Sequence, residues 1–336
     1  MEDKFFSYYR RKDVQEAILQ SCENREVAPR YGEGFGKRPD ILQFPGDILE
    51  MAKRGATSFH ISEEHWHDPL LLKAGMSKKE LDENRKGWDL LFDIDVAYWD
   101  YAKWTTYFLI EALKFHDVRN ISAKYSGSKG WHIGIPFASF PEEVNGVKIA
   151  KLFPEGPRII TAYLQNMIYE MLANKILEKE NIAGICQKTG KKRADIMKDG
   201  AFNPFSIIEI DTILLSNRHL FRAPYSLHEK TGLISLPIDI NHVLDFDKRA
   251  ADPKNAKIGP EFLSRKYTQD AKNLILQAFD WWGKKHAKQG PDILPGIKKE
   301  FTLSKDAVPE IYFPHCIQKI LLGNLDDGRK RALFIL

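Results

Sequence analysis

The pattern of apolar and polar positions predicts a sheet covered by helices. An apolar run over residues 90–96 is typical of a strand buried on both faces. The segment over residues 121–137 alternates in polarity around a glycine-containing turn and predicts two further strands. Apolar residues recur at helical spacing over 5–21, 97–115 and 157–180, so these segments are predicted to be helices, and the helix over 97–115 is expected to cover the sheet.

Two carboxylates interrupt the central apolar run. Asp93 and Asp95 are two positions apart, so on a strand they point to the same face, where like charges repel unless a cation lies between them. Such hard oxygen ligands suit Mg²⁺ or Mn²⁺. A D-x-D string is short, however, and acids that cap a helix or pair with arginine are the competing interpretation.

The turn between the next two strands is a second candidate binding element. Its glycines let the backbone approach a ligand closely, while its hydroxyls and its lysine suit an anion. The turn consists of Ser126, Gly127, Ser128, Lys129 and Gly130. His132 opens the returning strand and could donate to a phosphate oxygen. A phosphate-binding turn is therefore predicted, against the alternative of an ordinary hairpin turn.

A third candidate element combines an acid with a basic block. The segment SIIEIDTILL is rich in β-branched residues and carries Asp211, and Arg218, Arg222, His228 and Lys230 follow it. Cations directly after an acidic strand suit a metal-bridged triphosphate. An ordinary structural pair of arginine and aspartate is the alternative.

Two other groups of residues are weaker candidates. The histidines His60, His65 and His67 favour a surface or structural role, because no cysteine completes a tetrahedral metal site with them. The basic loops over 25–38 and 188–193 could contact an anionic ligand or a nucleic-acid backbone, although such loops are more often simply solvated.

Composition narrows the class of protein. With 336 residues and 43% hydrophobic content, the chain can form one large domain or two ordinary ones. A net charge of +4 does not by itself argue for nucleic acid. Three widely spaced cysteines support neither a disulfide framework nor a four-cysteine zinc site. Without a long apolar run or a signal peptide, the predictions are no membrane association and a cytoplasmic location.

Three motifs in this order resemble the catalytic small subunit of archaeo-eukaryotic DNA primases and the related primase-polymerases. They are the string from Asp93 to Asp95, the S-G-x-x-G-x-H string from Ser126 to His132, and the block from Asp211 through RHLFRAPYSLHEKTGL. The resemblance covers roughly residues 20–240. It implies an α/β (α+β) primase fold, with a central mixed β-sheet flanked by helices and a helical segment at the C-terminal end.

The resemblance also implies a function and its residues. Asp93, Asp95 and Asp211 would bind two Mg²⁺ or Mn²⁺ ions and be the catalytic residues. Nucleotides would contact Ser126, Gly127, Ser128, Lys129, Gly130, His132, Arg222, His228 and, from a similar upstream segment, Arg38. The expected activity is template-directed transfer of an NTP or dNTP to a 3′-hydroxyl, which makes or extends primers on single-stranded DNA. A primase large subunit or other replication proteins are expected partners.

The same resemblance implies three regions along the chain. Residues 1–255 would form the catalytic domain, 256–300 a helical linker region, and 301–336 the start of a truncated helical domain like that of the primase large subunit. Cys316 matches a ligand of that domain's iron–sulfur cluster, whose other ligands would lie beyond Leu336. The zinc stem of many small subunits cannot be formed from these cysteines.

Three other functions compete with a polymerase. A metal-dependent nuclease or phosphohydrolase could use Asp93, Asp95 and the three histidines. A glycosyltransferase could use the acid pair, but the basic block after Asp211 would then be unexplained. A non-catalytic nucleic-acid-binding replication subunit would keep the basic loops without needing the three acids.

Overall fold

A computed structural model describes residues 4–210, 217–266 and 268–286, all of which belong to the compact unit Met1–Pro295. The helices of this part of the chain are α1 (Lys4–Tyr9), α2 (Lys12–Cys22), α3 (Pro45–Lys53), α4 (Lys78–Asn84), α5 (Trp99–Phe115), α6 (Glu155–Lys179), α7 (Ile182–Thr189), α8 (Arg193–Ile196) and α9 (Lys272–His286). The strands are β1 (Val27–Tyr31), β2 (Gly34–Phe35), β3 (Ala56–Ser62), β4 (Glu64–Trp66), β5 (Arg85–Trp88), β6 (Leu90–Asp95), β7 (Ser122–Tyr125), β8 (Trp131–Ile135), β9 (Glu143–Val144), β10 (Val147–Lys148), β11 (Met197–Lys198), β12 (Ala201–Phe202), β13 (Glu209–Ile210), β14 (Leu220–Arg222) and β15 (Pro237–Ile238).

The central sheet has the strand order β13-β6-β8-β7-β15. Strand β6, between β13 and β8, is the predicted apolar run, and Leu90, Phe92 and Ile94 are fully buried. Helices α5 and α6 contact this sheet and each other. A second sheet has the order β14-β3-β1-β2. The predicted class, helices combined with a sheet in an α+β arrangement, is confirmed.

The central sheet differs from the predicted mixed one, since every strand pair in the described residues is antiparallel. Strand β8 explains the difference. It follows β7 after a tight turn but lies between β7 and β6, so two strands that would otherwise run parallel are separated by an antiparallel neighbour. The helical crossover from β6 to β7 therefore spans the position that β8 fills.

The helices of two segments differ from those that the pattern predicts. The expected helix over 5–21 is two helices, α1 and α2, with a break at Arg10 and Arg11. The basic segment after α6, expected to be a loop, contains α7, α8 and the hairpin of β11 and β12. Local capping accounts for α7, because the Asn181 side chain accepts from the backbone N–H of Gly184 and Gly190 ends the helix in a left-handed conformation.

Buried ion pairs hold the start of β6. Asp89, directly before the strand, pairs with Arg25 and with His65, whose Nε2 lies 3.0 Å from the carboxylate. The backbone N–H of Phe137 also donates to Asp89 over 2.7 Å. These contacts tie the segment before β1, strand β4 and the end of β8 to one carboxylate. The polarity pattern contains no signal for this cluster, because its members are far apart in sequence.

The described part of the predicted linker packs on the sheet unit. Helix α9 contacts α6, and the backbone N–H of Ala271 donates to the carbonyl of Ser139 over 2.8 Å. The predicted large-subunit-like region over 301–336, with Cys316, lies outside the described residues. Within the described residues, no helix is both long and apolar enough to span a membrane.

Candidate functional site

A cleft of about 540 Å³ lies where the two sheets meet, and it contains most of the predicted site residues. Asp93 and Asp95 point into it from the end of β6. Asp95 is exposed and the Asp93 side chain is 34% exposed. The cleft is lined by His60, Asp93, Asp95, Ser126, Ser128, Lys129, Gly130, His132, Leu220, Phe221, Arg222, His228, Glu229 and Lys230. The structure thus joins the acid pair, the glycine turn and the basic block in one cavity.

His132 faces the first acid across the sheet. The register of β6 and β8 pairs His132 with Asp93, and its Nε2 lies 3.5 Å from the carboxylate Oδ1. Burial, together with the positive charges of Lys124 and Arg222, holds the pKa of His132 well below its usual value. Its Nδ1 has no hydrogen-bond partner among the described residues. This imidazole is therefore a neutral group with an unused polar atom beside the cleft.

The glycine turn needs its glycines for two different reasons. Gly127 has φ +94°, a left-handed conformation that side chains rarely adopt. A Cβ on Gly130 would lie 2.5 Å from the carbonyl oxygen of Ile94, so Gly130 lets the turn approach the strand that carries the acids. The Ser126 hydroxyl accepts from the backbone N–H of Gly130 over 3.1 Å, which stiffens the turn.

The second sheet supplies an arginine to the cleft. Arg222 on β14 is in register with His60 on β3. The Arg222 guanidinium donates to the Glu229 carboxylate over 2.7 Å and to the carbonyl of Leu227 over 3.1 Å. Burial would raise the pKa of Glu229, but the charge of Arg222 outweighs it and lowers that pKa to about 2. Burial and Arg222 lower the pKa of His228 to about 4.

Several cleft residues were missed by the sequence analysis. His60, predicted to be a surface or structural residue, lines the cleft with only 7% exposure. Glu229 also lines it. Lys124 is fully buried beside the cleft, in register with His132, and its Nζ donates to the Ser235 hydroxyl over 2.8 Å. Counting the hairpin register outward from the turn would have placed Lys124 there.

Other predicted residues lie elsewhere. Arg38 does not line the cleft: its Nε donates to the buried Glu26 carboxylate over 2.9 Å, and its NH2 donates to the carbonyl of Arg218 over 2.8 Å. His65 contacts Asp89 at the opposite end of β6, so the three histidines do not form a common site with the acid pair. Asp211 lies outside the described residues.

The donor chemistry of the acid pair fits a hard divalent cation, because Asp93 and Asp95 offer carboxylate oxygens on one face of a strand. The described residues contain no group of three or more His, Cys, Asp or Glu side chains that could hold a metal ion. The last described residues before Asp211 run beside the pair, with Glu209 in register with Asp95 and Ile210 in register with Ile94.

Sequence comparison gives distant relatives. No protein-family model matches the chain. The DNA primase small subunit PriS of Pyrobaculum aerophilum is 27% identical over 195 residues, which cover 49% of this chain and 57% of that protein. PriS of Pyrobaculum arsenaticum is 24% identical over 192 residues, 48% of this chain and 56% of that protein. The uncharacterized protein MJECS07 of Methanocaldococcus jannaschii is 25% identical over 224 residues, 66% of this chain and 44% of that protein.

The chain spans about half the length of these curated relatives. Among solved structures, the polymerase domain of Mycobacterium tuberculosis ligase D in complex with DNA matches 72% of this chain and 82% of that chain, at 15% identity and a TM-score of 0.42. This structural likeness is too distant to inform the site. The two primase small subunits confirm the predicted likeness of this chain to the archaeo-eukaryotic primase superfamily.

Proposed function

We propose that the chain is a primase-like nucleotidyltransferase, which transfers a nucleotide from an NTP or dNTP to a 3′-hydroxyl on a single-stranded DNA template. One observation carries the proposal. The acid pair on β6, the glycine turn with His132, and Arg222 with His228 open into the same cleft although they are distant in sequence. A metal-bridged triphosphate needs carboxylates at one end and hydrogen-bond donors with cations at the other.

Asp93 and Asp95 would hold Mg²⁺ or Mn²⁺, with Asp211 as a third ligand. The role of Asp211 is supported by its place in the sequence. It directly follows Ile210, which is in register with Ile94, the residue between the two acids, and consecutive Cα atoms are only about 3.8 Å apart. Two such ions, when bound, would lower the pKa of the attacking hydroxyl and offset charge on the leaving pyrophosphate.

The other cleft residues would bind and orient the triphosphate. His132 is neutral and lines the cleft beside Asp93, so it would donate a hydrogen bond to a phosphate oxygen. Lys129 and the backbone of the turn approach from the central sheet, and Arg222 and His228 approach from the second sheet. Arg222 is held by Glu229 and by the Leu227 carbonyl, so its guanidinium is already oriented before a phosphate arrives.

The direct test is incubation of the protein with single-stranded template, Mg²⁺ or Mn²⁺, and either NTPs or dNTPs, with and without a primer. We expect template-dependent products that are lost in the double variant Asp93→Asn, Asp95→Asn, which keeps the size of both side chains but removes their charge. Products made equally well by the double variant, or no incorporation under any of these conditions, would contradict the proposal.

Two further outcomes would assign the cleft to a different function. Strand cleavage with Mn²⁺ in the absence of nucleotides would indicate a nuclease. Salt-sensitive DNA binding that survives the double substitution, without synthesis by the unmodified protein, would indicate a non-catalytic binding subunit. The same preparations can be used for all three assays, so the outcomes are directly comparable.

A further inference from the structure

Tyr9, near the N-terminus, is attached to the loop that carries the basic block. It is the last residue of α1, and its side chain is fully buried. The Tyr9 hydroxyl lies 3.1 Å from the carbonyl of Thr57 on β3, 3.3 Å from the Ser226 hydroxyl, and 2.9 Å from the backbone nitrogen of Leu227. One hydroxyl therefore joins the first helix, the second sheet and the loop after β14.

The hydrogen-bonding capacity of this hydroxyl is fully used. A tyrosine hydroxyl has one proton to donate and can accept two hydrogen bonds. The O–H of Tyr9 donates to Thr57 and its oxygen accepts from the Leu227 N–H, which leaves its second acceptor position for the Ser226 hydroxyl. The Ser226 oxygen in turn accepts from the backbone N–H of Phe59 over 2.8 Å. The Thr57 carbonyl, the Ser226 hydroxyl and the Leu227 N–H would each lose a partner if the Tyr9 hydroxyl were removed.

Leu227 links this network to the cleft. Its N–H donates to Tyr9, while its carbonyl accepts from the Arg222 guanidinium over 3.1 Å. The next two residues, His228 and Glu229, line the cleft, and Glu229 is the second acceptor for Arg222. A displacement of Leu227 would therefore change the position of Arg222 and His228 together.

We infer that Tyr9 is a positioning residue for nucleotide binding: through Leu227 it fixes the Arg222 and His228 side chains against the second sheet. The inference rests on the proposed function, since it assigns these two side chains to a bound triphosphate. Burial raises the pKa of Tyr9 to about 12, which keeps the donating proton in place throughout the physiological pH range. No chemical step is assigned to Tyr9, because its hydroxyl does not line the cleft.

The test compares Tyr9→Phe with the matched control Tyr101→Phe. Tyr101 is equally buried, but its hydroxyl donates to Glu180 over 2.7 Å and does not contact the loop. For Tyr9→Phe we expect the KM for the nucleotide to rise about tenfold while kcat stays within about twofold, because orientation of the phosphate ligands is lost rather than the acid pair. Ser226→Ala should change KM in the same direction. Tyr101→Phe should change neither constant by more than about twofold.

Two readouts do not depend on catalysis. Titration calorimetry with ATP and with dATP in the presence of Mg²⁺ should show about tenfold weaker binding to the Tyr9→Phe variant than to the parent. Limited trypsin digestion of the ligand-free protein should cut more rapidly after Lys230, which is exposed at the end of the loop, in Tyr9→Phe than in Tyr101→Phe.

The outcomes separate the two proposals. If the parent binds and incorporates nucleotides but Tyr9→Phe matches it in affinity and KM, the positioning role is wrong and the proposed function stands. Equal weakening in Tyr101→Phe would also overturn the positioning role, since general destabilisation would then account for it. If the parent binds no triphosphate, the proposed function fails and the inference fails with it.

Discussion

The carboxylates at the two ends of β6 lie in opposite environments. Asp89, directly before the strand, is 2% exposed and is surrounded by Arg25, His65 and a backbone N–H. At the other end, Asp93 and Asp95 open into the cleft, and Asp93 faces the neutral imidazole of His132. Asp93 and Asp95 have the same parity along β6 and thus face the same side of the sheet, whereas Asp89 lies outside the strand.

This contrast distinguishes a structural acid from a functional one. Burial alone would raise the pKa of Asp89, but the charges of His65 and Arg25 outweigh burial and hold it well below its usual value. The charge of Asp89 is thus compensated by partners inside the protein. Asp93 and Asp95 are two residues apart and both line the cleft, an arrangement that costs electrostatic repulsion until a cation binds. Carboxylates that line a cleft are candidates for ligand binding.

The largest effect is expected from removing either acid of the pair. Asp93→Ala or Asp95→Ala should lower nucleotide incorporation by about 10³-fold, because several kcal/mol of metal-assisted charge stabilisation are lost. The free energy of unfolding should change by no more than about 0.5 kcal/mol, since both side chains are partly or fully exposed. Single-turnover incorporation and urea unfolding measure the two quantities. Incorporation within tenfold of the parent would remove the acid pair from the mechanism.

Removing the structural acid should have the opposite result. Asp89→Ala leaves Arg25 buried without its carboxylate, so we expect a loss of about 3 kcal/mol in the free energy of unfolding. At a temperature where the variant is fully folded, its incorporation rate should remain near that of the parent. Urea unfolding beside Asp93→Ala makes the comparison direct. A loss below about 1 kcal/mol would mean that the Asp89 cluster contributes little to stability.

The pH dependence of stability should identify the same cluster. Because the folded-state pKa of Asp89 lies below its unfolded value, its stabilising contribution is complete above the unfolded pKa and is lost as the pH falls toward the folded one. The difference in unfolding free energy between the parent and Asp89→Asn should therefore stay constant from about pH 7 to 5 and narrow below about pH 4. Denaturant unfolding across that range measures it. A difference that stays constant to pH 3 would contradict the assignment.

The smallest effect is expected from the two histidines that face these acids. His132→Ala should raise the KM for the nucleotide about tenfold, or about 1.4 kcal/mol, through loss of one phosphate contact. His65→Ala removes a partner of Asp89 and should lower stability without changing KM. Steady-state kinetics on both variants distinguishes the two roles. An unchanged KM in His132→Ala would count against a phosphate contact. A raised KM in His65→Ala would mean that the structural end of β6 also affects nucleotide binding.

Local patterns predicted the parts of the site that lie within single hairpins. The apolar run with Asp93 and Asp95 is a buried strand that opens at its end, and the string from Ser126 to His132 is a turn followed by a strand. Both depend on side-chain alternation and on glycine, which act over a few residues. The role of His60 was missed because its position in the cleft depends on which strand becomes its neighbour, and Arg222 on β14 fills that place.

The sequence by itself determined the class of fold, the strand that carries the acid pair and the turn beside it, because these follow from periodicity and local backbone preference. Only the tertiary structure decided which charges are neutralised inside the protein and which face the cleft. Arg25 and Asp89 are 64 residues apart, and Tyr9 and Leu227 are 218 residues apart. Such contacts form when distant strands and helices are packed together, and no short-range pattern of residues encodes them.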